Sequence, residues 1–176
     1  MKDICFAGGC FWGTEHFFKM MDGVVSTEVG YANGNTVAPT YKDVCTDTTG
    51  HAETVHVTYD ESMIRLEDLL DMFFLAIDPT SVNKQGEDEG TQYRTGIYYV
   101  DEGDLPTINA KMSEVAARYS QPLAVEVKPL QCFFRAEDYH QDYLDKNPSG
   151  YCHLPVELFQ MARNFKAKTH KDNKNQ

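Results

Sequence analysis

Short apolar runs that end at glycine or at polar turns predict the strands of this chain. Ile4 to Ala7 is an apolar run that stops at Gly8-Gly9, as expected of a buried strand that leads into a turn. From His51 to Tyr59 apolar and polar residues alternate, which predicts a strand with every second residue from Glu53 onward on one face. Three further strands are predicted at Val24 to Tyr31, Gly96 to Val100 and Leu123 to Val127.

Apolar residues at helical spacing separate these strands. Between Leu66 and Ile77 they recur three and four residues apart, which predicts an amphipathic helix. A second helix is predicted from Leu105 to Tyr119, with Asp104 as its N-cap. Residues 81–92 are polar and show no period, which is typical of a long functional loop. Shorter helices are predicted from Trp12 to Met21 and from Val156 to Phe165.

The order of these elements predicts the fold class. Strands that alternate with helices predict a mixed sheet with helices packed against it. We therefore expect an α+β protein with a ferredoxin-like split β-α-β plait, in which a small mixed sheet carries packed helices and long loops. The chain is long enough for one well-formed core, so we expect a single catalytic domain over residues 1–165. A polar C-terminal tail is predicted over residues 166–176.

The acidic balance of the chain restricts its partners. The 176 residues carry a formal net charge of −11, so the surface should repel nucleic-acid phosphates and anionic lipids. No apolar stretch approaches the roughly 20 residues that a membrane-spanning helix needs. The N-terminus has neither the apolar segment nor the cleavage site of a signal peptide. We expect a cytoplasmic monomer that binds neither nucleic acid nor a membrane.

The five cysteines are scattered, and no two form a C-x-x-C pair. Such a set is not typical of a secreted disulfide framework, and it lacks the close ligand pairs of a structural zinc site. Any disulfide here is expected to be transient and catalytic. We interpret Cys5, Cys45 and Cys132 as structural, because they lie among apolar neighbours or beside strands.

Cys10 is the strongest candidate for chemistry. It lies between a glycine pair and two large aromatic residues, Phe11 and Trp12, where the first strand gives way to a helical pattern. The N–H groups and the partial positive charge of a helix N-terminus stabilise a thiolate, so we expect a lowered pKa for this thiol. Trp12 offers an apolar wall beside the sulfur. The alternative is a buried, inert cysteine that only fills space.

Candidate partners of Cys10 come from three other segments. If the face that carries Glu53 meets the core, desolvation raises the pKa of its carboxyl group into the range useful to a general acid. On the solvent side of an edge strand, Glu53 would be an ordinary carboxylate. Tyr41 follows a turn, and Tyr93 follows the polar loop. Their phenol groups can donate hydrogen bonds to a substrate oxygen without bringing a charge. The alternative is that both tyrosines are only packing residues. Asp88 belongs to that loop, where a solvated acid is the alternative.

Cys152 follows a turn-rich segment, Asn147 to Tyr151, and is a candidate resolving cysteine. A cysteine on a mobile loop can reach an oxidised partner and form a disulfide with it, whereas the alternative is a chance surface cysteine. A histidine that orients Cys10 would instead indicate a cysteine hydrolase. No spacing selects one of the four candidates for that role, which are His51, His56, His140 and His153.

Several sequence blocks carry a family resemblance. The blocks are Gly9-Cys10-Phe11-Trp12-Gly13 with Glu15, Val29-Gly30-Tyr31-Ala32, Pro39-Thr40-Tyr41, Thr49-Gly50-His51-Ala52-Glu53, Asp78-Pro79-Thr80, Asn83 to Arg94, Phe134 with Ala136-Glu137, Tyr139-His140-Gln141 with Tyr143, and Asn147-Pro148 with Gly150-Tyr151-Cys152. Together they resemble the peptide methionine sulfoxide reductases of the A type, from about residue 3 to residue 153. One departure is Asn33-Gly34 in place of a glycine pair, which asparagine can accommodate because it tolerates the left-handed conformation.

This resemblance implies a thiol-dependent reduction of the S-epimer of methionine sulfoxide, free or within a protein. It implies that Cys10 attacks the sulfoxide sulfur and becomes a sulfenic acid, while Phe11 and Trp12 hold the S-methyl group. Glu53 would donate a proton to the sulfoxide oxygen. The implied roles of Tyr41, Tyr93 and Asp88 are hydrogen bonding and organisation of the pocket.

The resemblance also implies how the enzyme is recycled. Cys152 would form a disulfide with Cys10, which thioredoxin would reduce. The additional recycling cysteine of some members is absent, so we expect a Cys10–Cys152 pair rather than a relay of three cysteines. No metal or cofactor is implied.

Two other functions fit parts of the same pattern. A two-cysteine thiol peroxidase shares the sulfenic acid and disulfide steps but takes hydroperoxides. A non-catalytic methionine-binding module would use the pocket of Phe11 and Trp12 without chemistry at Cys10.

Overall fold

The structure, a computed structural model, describes residues 1–166. Its strands are β1 (Lys2–Ala7), β2 (Val24–Ala32), β3 (Ala52–Tyr59), β4 (Lys84–Gln85), β5 (Asp88–Glu89), β6 (Gly96–Tyr99), β7 (Glu126–Pro129) and β8 (Phe133–Arg135). Its α-helices are α1 (Phe11–Lys19), α2 (Tyr41–Cys45), α3 (Leu66–Ala76), α4 (Leu105–Ala116), α5 (Tyr143–Lys146) and α6 (Val156–Asn164). Of the predicted tail, residues 167–176 lie outside this description. None of the helices in residues 1–166 has the length and apolar character needed to cross a bilayer.

The main sheet has six strands in the order β7-β6-β1-β3-β2-β8. Its four inner members follow the chain order β1-α1-β2-β3-α3-β6, and all their pairings are antiparallel. This arrangement is the split β-α-β plait, so the prediction of an α+β fold with a mixed sheet is confirmed. At the two edges β7 adds in parallel to β6 and β8 adds antiparallel to β2. Strands β4 and β5 form a separate pair.

The core lies between the main sheet and helices α1 and α3. Phe6 on β1 stacks on Phe18 of α1, with ring centroids 4.6 Å apart, and lies 4.8 Å from Phe73 of α3. Every second residue of β3 from Glu53 to Tyr59 is at most 1% exposed, as the alternation predicts for a strand inside a sheet. Glu53 therefore belongs to the buried face and not to a solvated edge.

Several boundaries differ from the predictions. The strand predicted from residue 123 begins at Glu126, and Asp104 does not cap α4 with its side chain, which accepts a hydrogen bond from Lys2 instead. The α-helices and strands that were not predicted at all are α2, β4, β5, β8 and α5. Each has two to five residues, too few to show a period. For α2 the capping box of Thr40 and Asp43 was a usable signal.

Helix α3 offers a matched test of the buried face. Leu69 is 0% exposed and Leu75 is 51% exposed, so the same substitution removes buried contacts at only one of the two positions. Leu69→Ala should lower the free energy of unfolding by about 2–5 kcal/mol, because it leaves a cavity. Leu75→Ala should change it by less than about 0.5 kcal/mol. Urea denaturation measures both, and equal losses would contradict the packing described here.

Candidate active site

Cys10 lies where β1 turns into α1. The turn needs the backbone of Gly9 in the left-handed region, with φ 79°, and the N–H of Gly9 donates to the carbonyl of Tyr93. Cys10 itself is the N-cap of α1, in an extended conformation, and is 7% exposed. The stacking of Phe18 against the sheet fixes α1 in place. The thiol is thus held at a helix N-terminus beside the central strands.

Glu53 reaches the same helix N-terminus from β3. Its Oε1 accepts a hydrogen bond from the backbone N–H of Phe11 at 3.2 Å, and its Oε2 is buried without a partner. Burial raises the pKa of this carboxyl group to about 8, and the charge of Asp88 adds to the increase. The N–H of Phe11 acts in the opposite direction but is outweighed. Near neutral pH Glu53 therefore holds a proton.

The pKa of the Cys10 thiol differs from the expectation. Burial raises it well above its ordinary value, and a negative charge on Glu53 raises it further. The backbone N–H of Trp12 stabilises the thiolate, as a helix N-terminus should, but this contribution is smaller. The prediction of a lowered thiol pKa is therefore wrong for the protein without substrate. Desolvation of the sulfur decides the direction of this pKa shift, and the sequence alone does not show how far the sulfur is desolvated.

The aromatic side chains of Phe11 and Trp12 are held by residues from a distant segment. The indole Nε1 of Trp12 donates to Nδ1 of His140 at 2.9 Å, and its ring stacks on Tyr143 at 3.7 Å. The Phe11 ring lies 5.2 Å from His140 and 5.7 Å from Tyr31. An aromatic wall next to the sulfur therefore depends on His140 and Tyr143, to which sequence reasoning assigned no such role.

Tyr41 and Tyr93 bring two phenol groups to the same region. Tyr41 begins α2, and its backbone N–H donates to Oε2 of Glu137 at 3.0 Å, while its ring lies 4.5 Å from His140. Tyr93 ends the 3₁₀ helix Thr91–Tyr93 after the polar loop. Burial raises the pKa of both phenols, and so does the charge of Glu53. Both remain neutral hydrogen-bond donors.

Asp88 joins the polar loop to the two cysteine segments. Its Oδ2 accepts a hydrogen bond from the backbone N–H of Cys10 at 3.3 Å, and its Oδ1 accepts one from the hydroxyl group of Tyr151 at 2.9 Å. The imidazole of His153 lies 3.8 Å from the same carboxyl group. The alternative of a solvated loop acid is therefore wrong.

Cys152 lies against the first turn of α1. A Cβ atom at Gly13 would be 3.0 Å from its Sγ, so the glycine makes room for this sulfur. The Sγ accepts a hydrogen bond from the N–H of Leu154, and burial raises the pKa of the thiol. Cys10 and Cys152 are both free thiols, and a charge on Cys152 raises the pKa of Cys10. The structure therefore brings the two sulfurs to one end of α1.

The four candidate histidines contact groups other than the Cys10 thiol. Their neighbours are Thr36 for His51, Asp3 for His56, Trp12 for His140, and Asp88 for His153. Within residues 1–166 none of these rings forms a hydrogen bond with the Cys10 thiol, as the histidine of a cysteine hydrolase would. Of the three cysteines that we interpret as structural, Cys5 is buried within the sheet, Cys132 is half-buried, and Cys45 is exposed. Residues 1–166 contain no group of His, Cys, Asp and Glu arranged to hold a metal ion.

Comparison with known proteins identifies close relatives. The family model described as "Peptide methionine sulfoxide reductase" matches residues 2–174. The "Peptide methionine sulfoxide reductase MsrA" of Clostridium acetobutylicum is 58% identical over 158 residues, which are 90% of this chain and 98% of that protein.

Solved structures agree with this match. Mxr1 from Saccharomyces cerevisiae in reduced form aligns with a TM-score of 0.81 and 42% identity, over 86% of this chain and 89% of that one. Methionine sulfoxide reductase A of Corynebacterium diphtheriae aligns with a TM-score of 0.78 and 37% identity, over 86% and 77%. Mxr1 in complex with Trx2 aligns with a TM-score of 0.57 and 28% identity, over 81% and 85%.

The raised pKa of Glu53 predicts a pH dependence of stability. Between its ordinary pKa of 4.5 and about 8 the folded protein binds one more proton at this site than the unfolded chain. The stabilisation is therefore complete below the ordinary pKa and is lost as the pH rises through about 8, at up to about 1.4 kcal/mol per pH unit. Glu53→Gln should remove this part of the slope.

Urea denaturation between about pH 5 and pH 8 measures the slope for the native protein and the variant. Glu28→Gln on β2 provides the control for removal of one carboxyl group from a partly exposed side chain. An unchanged slope in Glu53→Gln would show that this carboxyl group titrates at its ordinary pKa.

Proposed function

The chain belongs to the peptide methionine sulfoxide reductase A family and is a peptide-methionine (S)-S-oxide reductase, and we propose that its reaction depends on the thiol of Cys10 and the protonated carboxyl group of Glu53. The observation that carries this proposal is the position of both groups at the N-terminus of α1. Phe11 donates its backbone N–H to the acid, and Cys10 precedes it in the chain.

In the first step the sulfur of Cys10 attacks the sulfoxide sulfur, and Glu53 donates its proton to the sulfoxide oxygen. The thiol proton replaces the proton that Glu53 gives up. The hydroxyl group formed on the substrate sulfur is then transferred to the Cys10 sulfur as the bond between the two sulfurs breaks. Cys10 is thereby oxidised to a sulfenic acid and the substrate is reduced to methionine, so atoms and electrons balance without a cofactor. A neutral acid suits this step, because negative charge develops on the oxygen as its bond to sulfur breaks.

The surrounding side chains bind and orient the sulfoxide. Phe11 and Trp12 provide the apolar wall for the S-methyl group. The hydrogen bond from the indole Nε1 of Trp12 to Nδ1 of His140 holds this wall in place. Tyr41 and Tyr93 donate hydrogen bonds to the oxygen, which their raised pKa values favour because both phenols keep their protons. Asp88 positions the N-terminus of α1 through the N–H of Cys10.

In the second step the thiol of Cys152 attacks the sulfur of the Cys10 sulfenic acid. A disulfide forms and the hydroxyl group leaves as water, taking the thiol proton. The position of Cys152 against Gly13 supports this partner over Cys45 and Cys132. A thioredoxin dithiol then reduces the disulfide, a proposal that the solved complex of Mxr1 with Trx2 supports. The reaction takes place in a cytoplasmic monomer and accepts free or protein-bound substrate.

The role of Glu53 is tested by Glu53→Gln, which keeps the shape of the side chain but removes the acidic proton. The rate of a single turnover with an S-epimer sulfoxide should fall about 100-fold or more, since general acids contribute at least this much. Binding of the sulfoxide should change far less. Stopped-flow tryptophan fluorescence measures both quantities, with Glu28→Gln as the matched control. A normal single-turnover rate in Glu53→Gln would refute the assignment.

The role of Cys152 is tested by Cys152→Ser. This variant should release one equivalent of methionine at the native rate and then stop, because no disulfide can form for thioredoxin to reduce. Cys132→Ser is the matched control and should cycle normally. The measurements are the methionine released by the reduced enzyme alone and the steady-state rate with thioredoxin.

Two outcomes would change the assignment. Continued cycling of Cys152→Ser would exclude Cys152 from the mechanism, and loss of cycling in Cys132→Ser would add Cys132 to it. Supplying a hydroperoxide in place of the sulfoxide separates the reductase from a thiol peroxidase, which would consume the peroxide at a comparable rate.

A further inference from the structure

A groove lies beside Tyr41 at the edge of the main sheet. Its volume is about 640 Å³, and two segments line it. One segment is Ala38 to Thr40, which leads into α2, and the other is Phe133 to Asp138, which contains β8. The catalytic proposal uses none of these residues. We call this cavity the β8 groove.

Strand β8 is an edge strand of the main sheet, and its outer side has backbone groups that do not pair with β2. It pairs with β2 on one side only, in the antiparallel register Gly30 to Arg135, Tyr31 to Phe134 and Ala32 to Phe133. Backbone bonds from Asn33 to Cys132 and from Ala136 to Val29 continue this ladder at both ends. Because hydrogen-bonded pairs alternate along an antiparallel ladder, the N–H and C=O groups of Phe133 and Arg135 are directed away from β2. They are available to another strand.

The β8 groove lies near the proposed catalytic site. The pairing of β3, β2 and β8 places Glu53, Tyr31 and Phe134 in one row across the sheet. Neighbouring strands lie about 4.8 Å apart, so this row spans about 10 Å. Glu137 lines the groove and also accepts hydrogen bonds from the Tyr31 hydroxyl group and the Tyr41 backbone, at 2.9 and 3.0 Å. The groove therefore lies within reach of a polypeptide whose methionine sulfoxide occupies the proposed site.

We propose that the β8 groove binds the extended backbone of a polypeptide substrate on one side of its oxidised methionine, as an added strand on β8. This inference rests on the proposed function and specifies its substrate class as an unfolded or extended polypeptide. The added strand lies one spacing beyond β8, about 14 Å from Glu53. Because an extended chain advances about 3.3 Å per residue, the residues about four positions from the sulfoxide pair with Phe133 and Arg135. Free methionine sulfoxide does not reach the groove.

A second copy of this chain is the competing occupant of such an edge. Strand β8 has only three residues, and two of them present backbone groups outward. A stable dimer buries about 1,200 Å² or more, which this short edge does not supply. Each copy also carries a net charge of −11, which opposes self-association. A substrate segment needs much less area because the sulfoxide pocket already anchors it.

Arg135 allows the backbone contact to be removed selectively. Arg135→Pro deletes an N–H that does not bond to β2, and proline is tolerated on edge strands for this reason. Arg135→Ala is the matched control, since it removes the same side chain and its ion pairs with Glu28 and Asp138 but keeps the N–H. Neither variant alters Cys10 or Glu53.

The readout is the ratio of kcat/KM for a short unstructured peptide with one methionine S-sulfoxide to kcat/KM for N-acetyl-methionine S-sulfoxide. This ratio cancels any loss of folded enzyme. It should fall about three- to tenfold in Arg135→Pro relative to Arg135→Ala, as expected for one lost hydrogen bond. Peptides N-methylated at one backbone nitrogen at a time should lose activity at alternate positions, because only every second N–H of an added strand faces β8.

Each outcome decides between distinct conclusions. Equal ratios in both variants and no alternation in the N-methyl series would overturn the β8 groove proposal and leave the proposed function intact. Failure of the native protein to reduce either sulfoxide would instead refute the proposed function. Sedimentation velocity tests the competing occupant, and a native dimer that Arg135→Pro dissociates would assign the edge to a second copy.

Discussion

The hydrogen bond from the backbone N–H of Phe11 to the Glu53 carboxyl group joins the two halves of the proposed active site. It connects the N-terminus of α1, which carries the thiol, to the central strand β3. The sheet and the packing of α1 bury this contact, so Glu53 is 1% exposed and keeps a proton near neutral pH. Burial of this one hydrogen bond at the N-terminus of α1 thus has two effects. It fixes the position of Glu53 relative to Cys10, and it raises the pKa of Glu53.

Burial also explains why the electrostatics of Cys10 oppose the simple helix-dipole argument. The N-terminal N–H groups of α1 stabilise a thiolate, but the loss of water around a sulfur that is 7% exposed outweighs them. In the proposed reaction both groups start protonated, and the substrate oxygen receives the proton that the pair gives up. Because both Glu53 and the Cys10 thiol keep their protons in this buried site, two adjacent negative charges are avoided before the substrate binds.

Loops that are far apart in the chain complete the site on the outer side of α1. Asp88 contacts both Cys10 and Tyr151, while His140 holds Trp12 through its indole N–H. These contacts span 78, 63 and 128 residues of sequence. They connect the position of the segment that carries Cys152 to the N-terminus of α1, so the polar loops serve as structural parts of the site.

The sequence by itself determined the α+β class, the inner strands and main helices, the turn that carries Cys10, and the alternation that puts Glu53 on the same face of β3 as Val55, Val57 and Tyr59, because these follow from local periodicity and from glycine at a turn. The sequence left open whether that face is buried, and the packing of the sheet decided it. Tertiary structure alone decided the sign of the Cys10 pKa shift, the support of Trp12 by His140, and the pairing of β8 at the sheet edge. These features depend on desolvation and on contacts between distant segments, and neither leaves a periodic signal in the chain.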